Sequence, residues 1–229
     1  MSAFWKSYYR DKSGASDDRF VQVGKTVDGS PVGADQLEII AESIALGLDL
    51  GRQDCLIDAG CGNGLLTELV AAKVGRLVAV DQSAELLEIA RATVAGPGID
   101  WVHCEIPSRK FRSVLLDSGA NKLLMYEVLQ HLDEPGLSGL LGDLSHAAVE
   151  RVFIGGIPDS VRLESFYDTT EKLAFHHKME ALGKPHLGQW WLKDRLESLC
   201  NEFGFAPTFL SQSKQLYTSH YRFDLLLSR

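Results

Sequence analysis

The chain has 229 residues, 45% apolar and 24% charged, enough for one α/β domain to bury a full core without disulfide or metal staples. Its net charge of −8 argues against a nucleic-acid partner, which would call for clustered Lys and Arg. Cys55, Cys61, Cys104 and Cys200 show neither a C-x-x-C pair nor zinc-finger spacing. No stretch is apolar over the ~20 residues of a membrane helix, and the N-terminus lacks a secretory h-region. We therefore expect a cytoplasmic protein, monomeric or homodimeric, with no membrane partner and no metal.

Residues 1–34 are polar, rich in aromatics and weakly periodic, and read as an N-terminal arm ending in the turn signals Asp28-Gly29, Pro31 and Gly33. From Asp35 to Leu48 the apolar residues Leu37, Ile40, Ala41, Ile44, Ala45 and Leu48 recur at helical spacing, stopped by Gly51. Cys55–Ile57 is a short apolar strand running into Asp58, followed by a glycine-rich turn and a helix from about Leu65 to Val74. Arg76–Val80 is a second strand, running into Asp81, and Ser83 can cap the helix after it. Trp101–Cys104 suggests a third strand, Lys122–Tyr126 a fourth and Arg151–Ile154 a fifth, stopping before Gly155-Gly156, with a helix over Leu137–Val149. The basic run Arg109, Lys110, Arg112 reads as a solvated loop. Strands alternating with helices predict a parallel sheet covered on both faces. The tail departs from that rhythm. Residues 158–190 form an insert with a helix near Ser165–Leu182, and Lys193–Phe203 is a further helix closed by Gly204. Pro207–Ser211 and Tyr221–Leu227 read as an antiparallel strand pair at the sheet edge.

The most informative stretch is CLIDAGCGNGLL. Asp58 ends a buried strand, and Gly60, Gly62 and Gly64 follow at alternate positions before a helix begins at Leu65. Glycines belong where backbone turns sharply and a ligand approaches it closely. A dinucleotide-binding turn spaces its glycines G-x-G-x-x-G to seat a pyrophosphate, and here Leu65 stands where that pattern wants glycine. A carboxylate two places before the first glycine would repel a pyrophosphate and would suit a ligand bearing an ammonium or sulfonium. Asp81, 23 residues after Asp58, ends the next strand, where an acid commonly holds ribose hydroxyls.

On these residues the chain resembles the class I S-adenosylmethionine-dependent methyltransferases of small-molecule type, best over about residues 50–157. The resemblance implies a Rossmann-like, seven-stranded, mostly parallel sheet with an antiparallel last strand and helices on both faces. It implies one methyltransferase domain over 1–229: lid or arm 1–34, cofactor-binding core 35–157, acceptor-pocket insert 158–190, and C-terminal helix and strand pair 191–229. The implied cofactor is S-adenosyl-L-methionine, leaving as S-adenosyl-L-homocysteine. Asp58, Gly60 and the nearby Ala59, Gly62 and Asn63 would handle its methionine end, with Cys61 and Leu65 lining the floor, Asp81 on the ribose and Gln82 flanking the adenine; Ser83 and Leu86 are further cofactor contacts. Cys104, Glu105 and Ile106 would meet the adenine, Glu105 being the acidic candidate, and MYEVLQHL would bring Tyr126, Glu127 and Val128 to the cofactor. In the arm, FVQVGKTVDG looks like a lid, making Tyr9, Gln22, Val23 and Lys25 candidate contacts.

A hydroxyl acceptor must lose its proton, which a histidine can accept. His131, just past the fourth strand, is the first candidate, and His176 and His177 in the insert are the others. Phe166, Tyr167, Trp190 and Trp191 could wall the acceptor pocket, and Arg109, Lys110 and Arg112 could meet a phosphate or carboxylate on the acceptor if they reach it. The expected reaction is O-methylation of a sugar or related small metabolite. N- or C-methylation, and more remotely a nucleotide-dependent oxidoreductase, are the alternatives, because a cofactor motif does not specify an acceptor.

Overall fold

The structure, a computed structural model, describes residues 3–14, 16–96 and 98–229, apart from the side chains of residues 3, 4, 6, 9 and 13. The arm is more ordered than its weak periodicity suggests. It forms helix α1 (Ala3–Ser13), a short α2 (Arg19–Gln22) and a small hairpin, β1 (Thr26–Val27) with β2 (Ser30–Pro31). The hairpin turns on Asp28 and Gly29, both at positive φ, as a two-residue turn requires. Helix α3 (Ala34–Leu48) follows, and Asp49, in the left-handed conformation, ends it before Gly51 is reached.

The Rossmann-like core then alternates: β3 (Cys55–Ala59), α4 (Leu65–Ala71), β4 (Arg76–Asp81), α5 (Ala84–Thr93), β5 (Ile99–His103), α6 (Arg109–Asp117), β6 (Lys122–Tyr126), α7 (Glu134–Ser145) and β7 (Arg151–Pro158). The tail adds α8 (Leu163–Phe166), α9 (Thr170–Ala181), α10 (Lys193–Glu202), β8 (Ala206–Ser211) and β9 (Arg222–Ser228). The seven long strands form one sheet in the order β5-β4-β3-β6-β7-β9-β8, parallel except where β9 runs against β7 and β8. The expected class and the antiparallel pair at the edge are both found.

Three local readings change. The basic run is a helix: Ser108 accepts from the Phe111 N–H and caps α6, whose Phe111 and Leu115 are buried one turn apart. Its charges lie on the outer face, and Arg112 pairs with Asp143 of α7 at 3.3 Å. The fifth strand runs through Gly155-Gly156 rather than stopping there. Gly155 lies against the Tyr126 ring, and the register with β9 shifts between Ile154 and Ile157, a bulge that absorbs the positive φ of Gly156. The insert helix is broken into α8 and α9 at Tyr167-Asp168.

Alternation along the buried strands splits the core. Ile57, Val80, Leu123 and Ile154 face α6, α7 and α10, while Leu56, Leu77, Leu124 and Phe153 face α3 and α4. Register places Asp58 beside Ala79 and Leu124, so the carboxyl ends of β3, β4 and β6 open together into one crevice. Among the described residues, no helix is long and apolar enough to cross a membrane.

Candidate active site

The turn between β3 and α4 is tied down by its own backbone. The Gly60 and Cys61 N–H groups donate to the Val80 carbonyl at 2.7 and 3.0 Å, and the Gly62 N–H donates to Asp81 Oδ2 at 2.9 Å. Asp81 Oδ1 accepts from the Ser83 N–H at 2.8 Å, so one carboxylate joins the turns after β3 and β4. Gly60 has a φ of 87°, and a Cβ there would collide with Val128, so the loop after β6 closes directly onto the glycine turn.

Asp58 is buried, and its Oδ2 accepts from the Thr67 hydroxyl of α4 at 2.6 Å. Burial raises its pKa to about 6 despite that bond, with the charge of Asp81 adding to the rise. The Asp81 carboxyl is also raised by burial, with the backbone donors of Ser83 and Gly62 pulling the other way. Glu127, at the end of β6, sits at a φ of 57°, a conformation that costs free energy for a residue with a Cβ. Its Oε2 meets Lys25 Nζ at 3.1 Å. Burial opposes its ionisation, but Lys25 and Arg222 outweigh burial and hold the carboxyl below its ordinary range.

The arm folds over this crevice. Asn63 Nδ2 donates to the Arg19 carbonyl at 2.8 Å and to Gln22 Oε1 at 2.9 Å, and Arg19 pairs with Glu68 at 3.1 Å. These bonds fix α2 against the start of α4 and bring Val23 and Lys25 over the opening. The result is a cleft of about 840 Å³ including its mouth. It is lined by Val23, Lys25, Asp58, Gly60, Cys61, Gly62, Asn63, Leu65, Asp81, Gln82, Leu86, Cys104, Ile106, Tyr126, Glu127, Val128 and His131, all named from the sequence, and by Leu66, which was not. Leu66 adjoins Leu65 at the start of the helix and could have been included on position alone.

Other expected residues lie elsewhere. Gln22 is buried behind Asn63, Ala59 is enclosed in the sheet, and Ser83 caps α5 by accepting from the Leu86 N–H. Glu105 is exposed and outside the lining, because its neighbours Cys104 and Ile106 turn inward and leave it facing out. The side chain of Tyr9 lies outside the described residues. His131 sits on the 3-10 turn after β6, its ring 4.2 Å from that of Trp5 of α1. Burial, reinforced by the charge of Arg222, pushes its pKa down to about 3, so the ring is neutral at physiological pH. His176 is buried and stacks on Tyr167 at 4.5 Å, while His177 is exposed, and neither lines the cleft. Arg109, Lys110 and Arg112 are also outside it.

A second, larger cavity of about 1610 Å³ adjoins the cleft and shares Val23 and Glu127 with it. Its walls include Trp5 and Tyr8 of α1, Phe166 and Tyr167 of the insert, and Tyr217, Tyr221 and Arg222 near β9. Phe166 and Tyr167 were expected there. Trp191 is instead in the core and Trp190 packs outside the lining.

The sheet order, the glycine turn and the carboxylates at neighbouring strand ends define the class I S-adenosylmethionine-dependent methyltransferase fold. Residues 56–149 match the methyltransferase domain family. An uncharacterized methyltransferase of Mycobacterium tuberculosis is 32% identical over 85 residues, 37% of this chain and 41% of that protein, so the chain matches less than half the length of this relative. Two solved structures are similar over nearly their whole length. Magnesium protoporphyrin IX methyltransferase from Synechocystis with bound S-adenosylhomocysteine has a TM-score of 0.63 at 17% identity, over 99% of this chain and 95% of that one. The N-methyltransferase NodS from Bradyrhizobium japonicum has a TM-score of 0.65 at 13% identity, over 98% and 97%.

The cleft fits S-adenosylmethionine by its own chemistry. Three carboxylates, Asp58, Asp81 and Glu127, face a volume whose remaining walls are largely apolar. Leu86, Cys104, Ile106 and Val128 offer a slot for a flat base, and the acids suit a sugar and a cation.

Proposed function

We propose that the protein transfers a methyl group from S-adenosylmethionine to a hydroxyl of a small, ring-bearing metabolite held in the second cavity. What supports this most is that the two cavities meet at Val23 and Glu127, so a donor in one and an acceptor in the other would face each other there. When bound, the donor supplies a methyl already activated on a sulfonium. The chain's task is then alignment and exclusion of water. Asp81 would hold the ribose, Asp58 would sit by the methionine cation, and Leu86, Cys104 and Ile106 would hold the adenine. Val23 and Lys25, fixed by the bonds of α2 to Asn63, would close the mouth.

His131 is the proposed proton acceptor. Its low pKa makes it a weak base but keeps it in the accepting form at physiological pH. As the methyl–oxygen bond forms, the acceptor oxygen becomes far more acidic than an imidazolium, so its proton passes downhill even to this ring. His176 and His177 have no comparable position. The four unpaired cysteines suit a reducing compartment such as the cytoplasm.

The test is calorimetric titration of S-adenosylhomocysteine, followed by metabolite fractions incubated with labelled donor and read by mass spectrometry. Tight binding and a labelled small molecule are expected. No detectable affinity for either form of the cofactor would end this reading.

A further inference from the structure

Resting on the methyltransferase reading, we propose that the second cavity takes an acceptor carrying a carboxylate on a ring, and that Arg222 recognises that carboxylate. Arg222 opens β9, is 3% exposed and lines the cavity. A guanidinium stays charged at any physiological pH, and burying a charge is costly unless it is paired. Nη1 donates to Gln130 Oε1 at 2.6 Å and to the Gly156 carbonyl, both neutral acceptors. Among the described residues no hydrogen-bond acceptor meets Nε, and no carboxylate forms an ion pair with the group.

The acids around it are committed elsewhere. Glu127 is paired with Lys25 at 3.1 Å. Asp224, on the same strand, accepts from the Gly156 N–H at 2.8 Å and from Gln212 Nε2 at 2.9 Å. The Tyr221 ring, 5.0 Å from the guanidinium carbon, adds a cation–π contact but no counter-charge. A buried guanidinium that feels the field of Glu127 but has no direct carboxylate partner among the described residues therefore stands in the wall of a cavity rich in aromatic rings, and an anion entering that cavity would pair with it.

The rest of the wall indicates what carries the anion. Phe166 and Tyr221 stand 4.6 Å apart beside Arg222, and Trp5 and Tyr8 face the same space, which suits a ring packed against rings. A carboxylate matches the one buried guanidinium charge for charge: of the other charged groups in the wall, Glu127 is paired with Lys25, Asp168 with Lys172, and Lys12 donates to the Tyr8 hydroxyl. An acid anchored at Arg222 would leave its ring reaching toward Glu127 and Val23, where the cavities meet.

Sugar acids and aromatic acids share this chemistry, and titration separates them. Glucuronate and 3,4-dihydroxybenzoate, each against its neutral amide, are titrated into the full chain with and without S-adenosylhomocysteine. At least one acid should bind about 10- to 100-fold tighter than its amide, the range of a charge-assisted pair, and the tighter acid identifies the source. R222Q should remove that preference, and R222K should retain part of it if R222Q does not fold. Equal binding of both acids and their amides, no binding of either acid, an undiminished preference in the variants, or phenyl phosphate binding tighter than both acids would overturn the proposal. Failure of S-adenosylhomocysteine to bind would instead sink the methyltransferase reading, because the acid–amide comparison on the protein alone reads Arg222 separately.

Discussion

On the proposed reading, Asp58 would tie cofactor affinity to pH. Its carboxyl is buried in the free protein and ionises at about 6, against 3.8 for an ordinary aspartate. A cation seated beside it would favour the charged form and return its pKa toward the ordinary value. The free protein must then release the Asp58 proton in order to bind. Affinity should fall by about tenfold between pH 7 and pH 5, with roughly half a proton released per ligand at pH 6. Calorimetry with S-adenosylhomocysteine, whose ammonium supplies the cation, reads both quantities when repeated in buffers of different ionisation enthalpy. The same burial acts on the free fold. A carboxyl raised in the folded state favours folding at low pH, and that advantage is lost as pH rises from 3.8 through about 6. By pH 7 the cost is on the order of 3 kcal/mol, and Asp58→Asn should recover part of it while removing the pH dependence of binding. A dissociation constant flat from pH 7 to 5 in the wild type, or the same slope in Asp58→Asn, would refute the reasoning.

Three other outcomes follow from the site and core. The His131 ring resonances should not titrate between pH 5 and 8 in NMR, and the folded state should lose stability as pH falls below about 6.5, because a histidine kept neutral by burial resists protonation. A midpoint near 6.5 would show the ring to be solvated. Gly60→Ala should destabilise the fold by about 1–3 kcal/mol and weaken cofactor binding, since its Cβ meets Val128 at positive φ; adding Val128→Ala should recover part of the loss in a melting curve. Phe111→Ala should cost about 3–5 kcal/mol in urea unfolding, because the ring is fully buried in α6; a loss under 1 kcal/mol would mean that the helix packs loosely.

The cleft was legible because its signal is local. An apolar run, an acid and alternate glycines fall within ten residues, and the backbone they need is needed by that turn alone. Helix α6 was missed although Ser108, Phe111 and Leu115 mark a cap and a buried face, because three basic residues in four positions masked a short amphipathic pattern. The strand through Gly155-Gly156 went against the usual meaning of paired glycines. What sustains it is the Tyr126 ring filling the space beside Gly155, a contact no local rule contains. Glu105 lies outside the cleft lining for a reason of phase: where β5 gives way to a turn, a shift of one residue exchanges the inward and outward positions.

The second cavity could be read from the sequence only through Phe166 and Tyr167 of the insert, and its construction explains why. Trp5, Glu127, Phe166 and Arg222 come from four distant segments, and the buried bond from Arg222 to Gln130 spans 92 residues of sequence. Each of these residues has an ordinary structural explanation by itself: an aromatic in an arm, an acid at a strand end, an aromatic in an insert, a basic residue opening a strand. The first cleft is made mostly by the parallel core, whose turns are constrained by sheet geometry. The second cavity is made mostly by the arm, the insert and the start of the last strand, whose sequences are free of that constraint, with Glu127 and Gln130 from the core. Substitutions in the insert should therefore alter which acceptor enters while leaving the glycine turn and its carboxylates in place, and the residues that select the acceptor should be sought among side chains such as Arg222 that the core does not need.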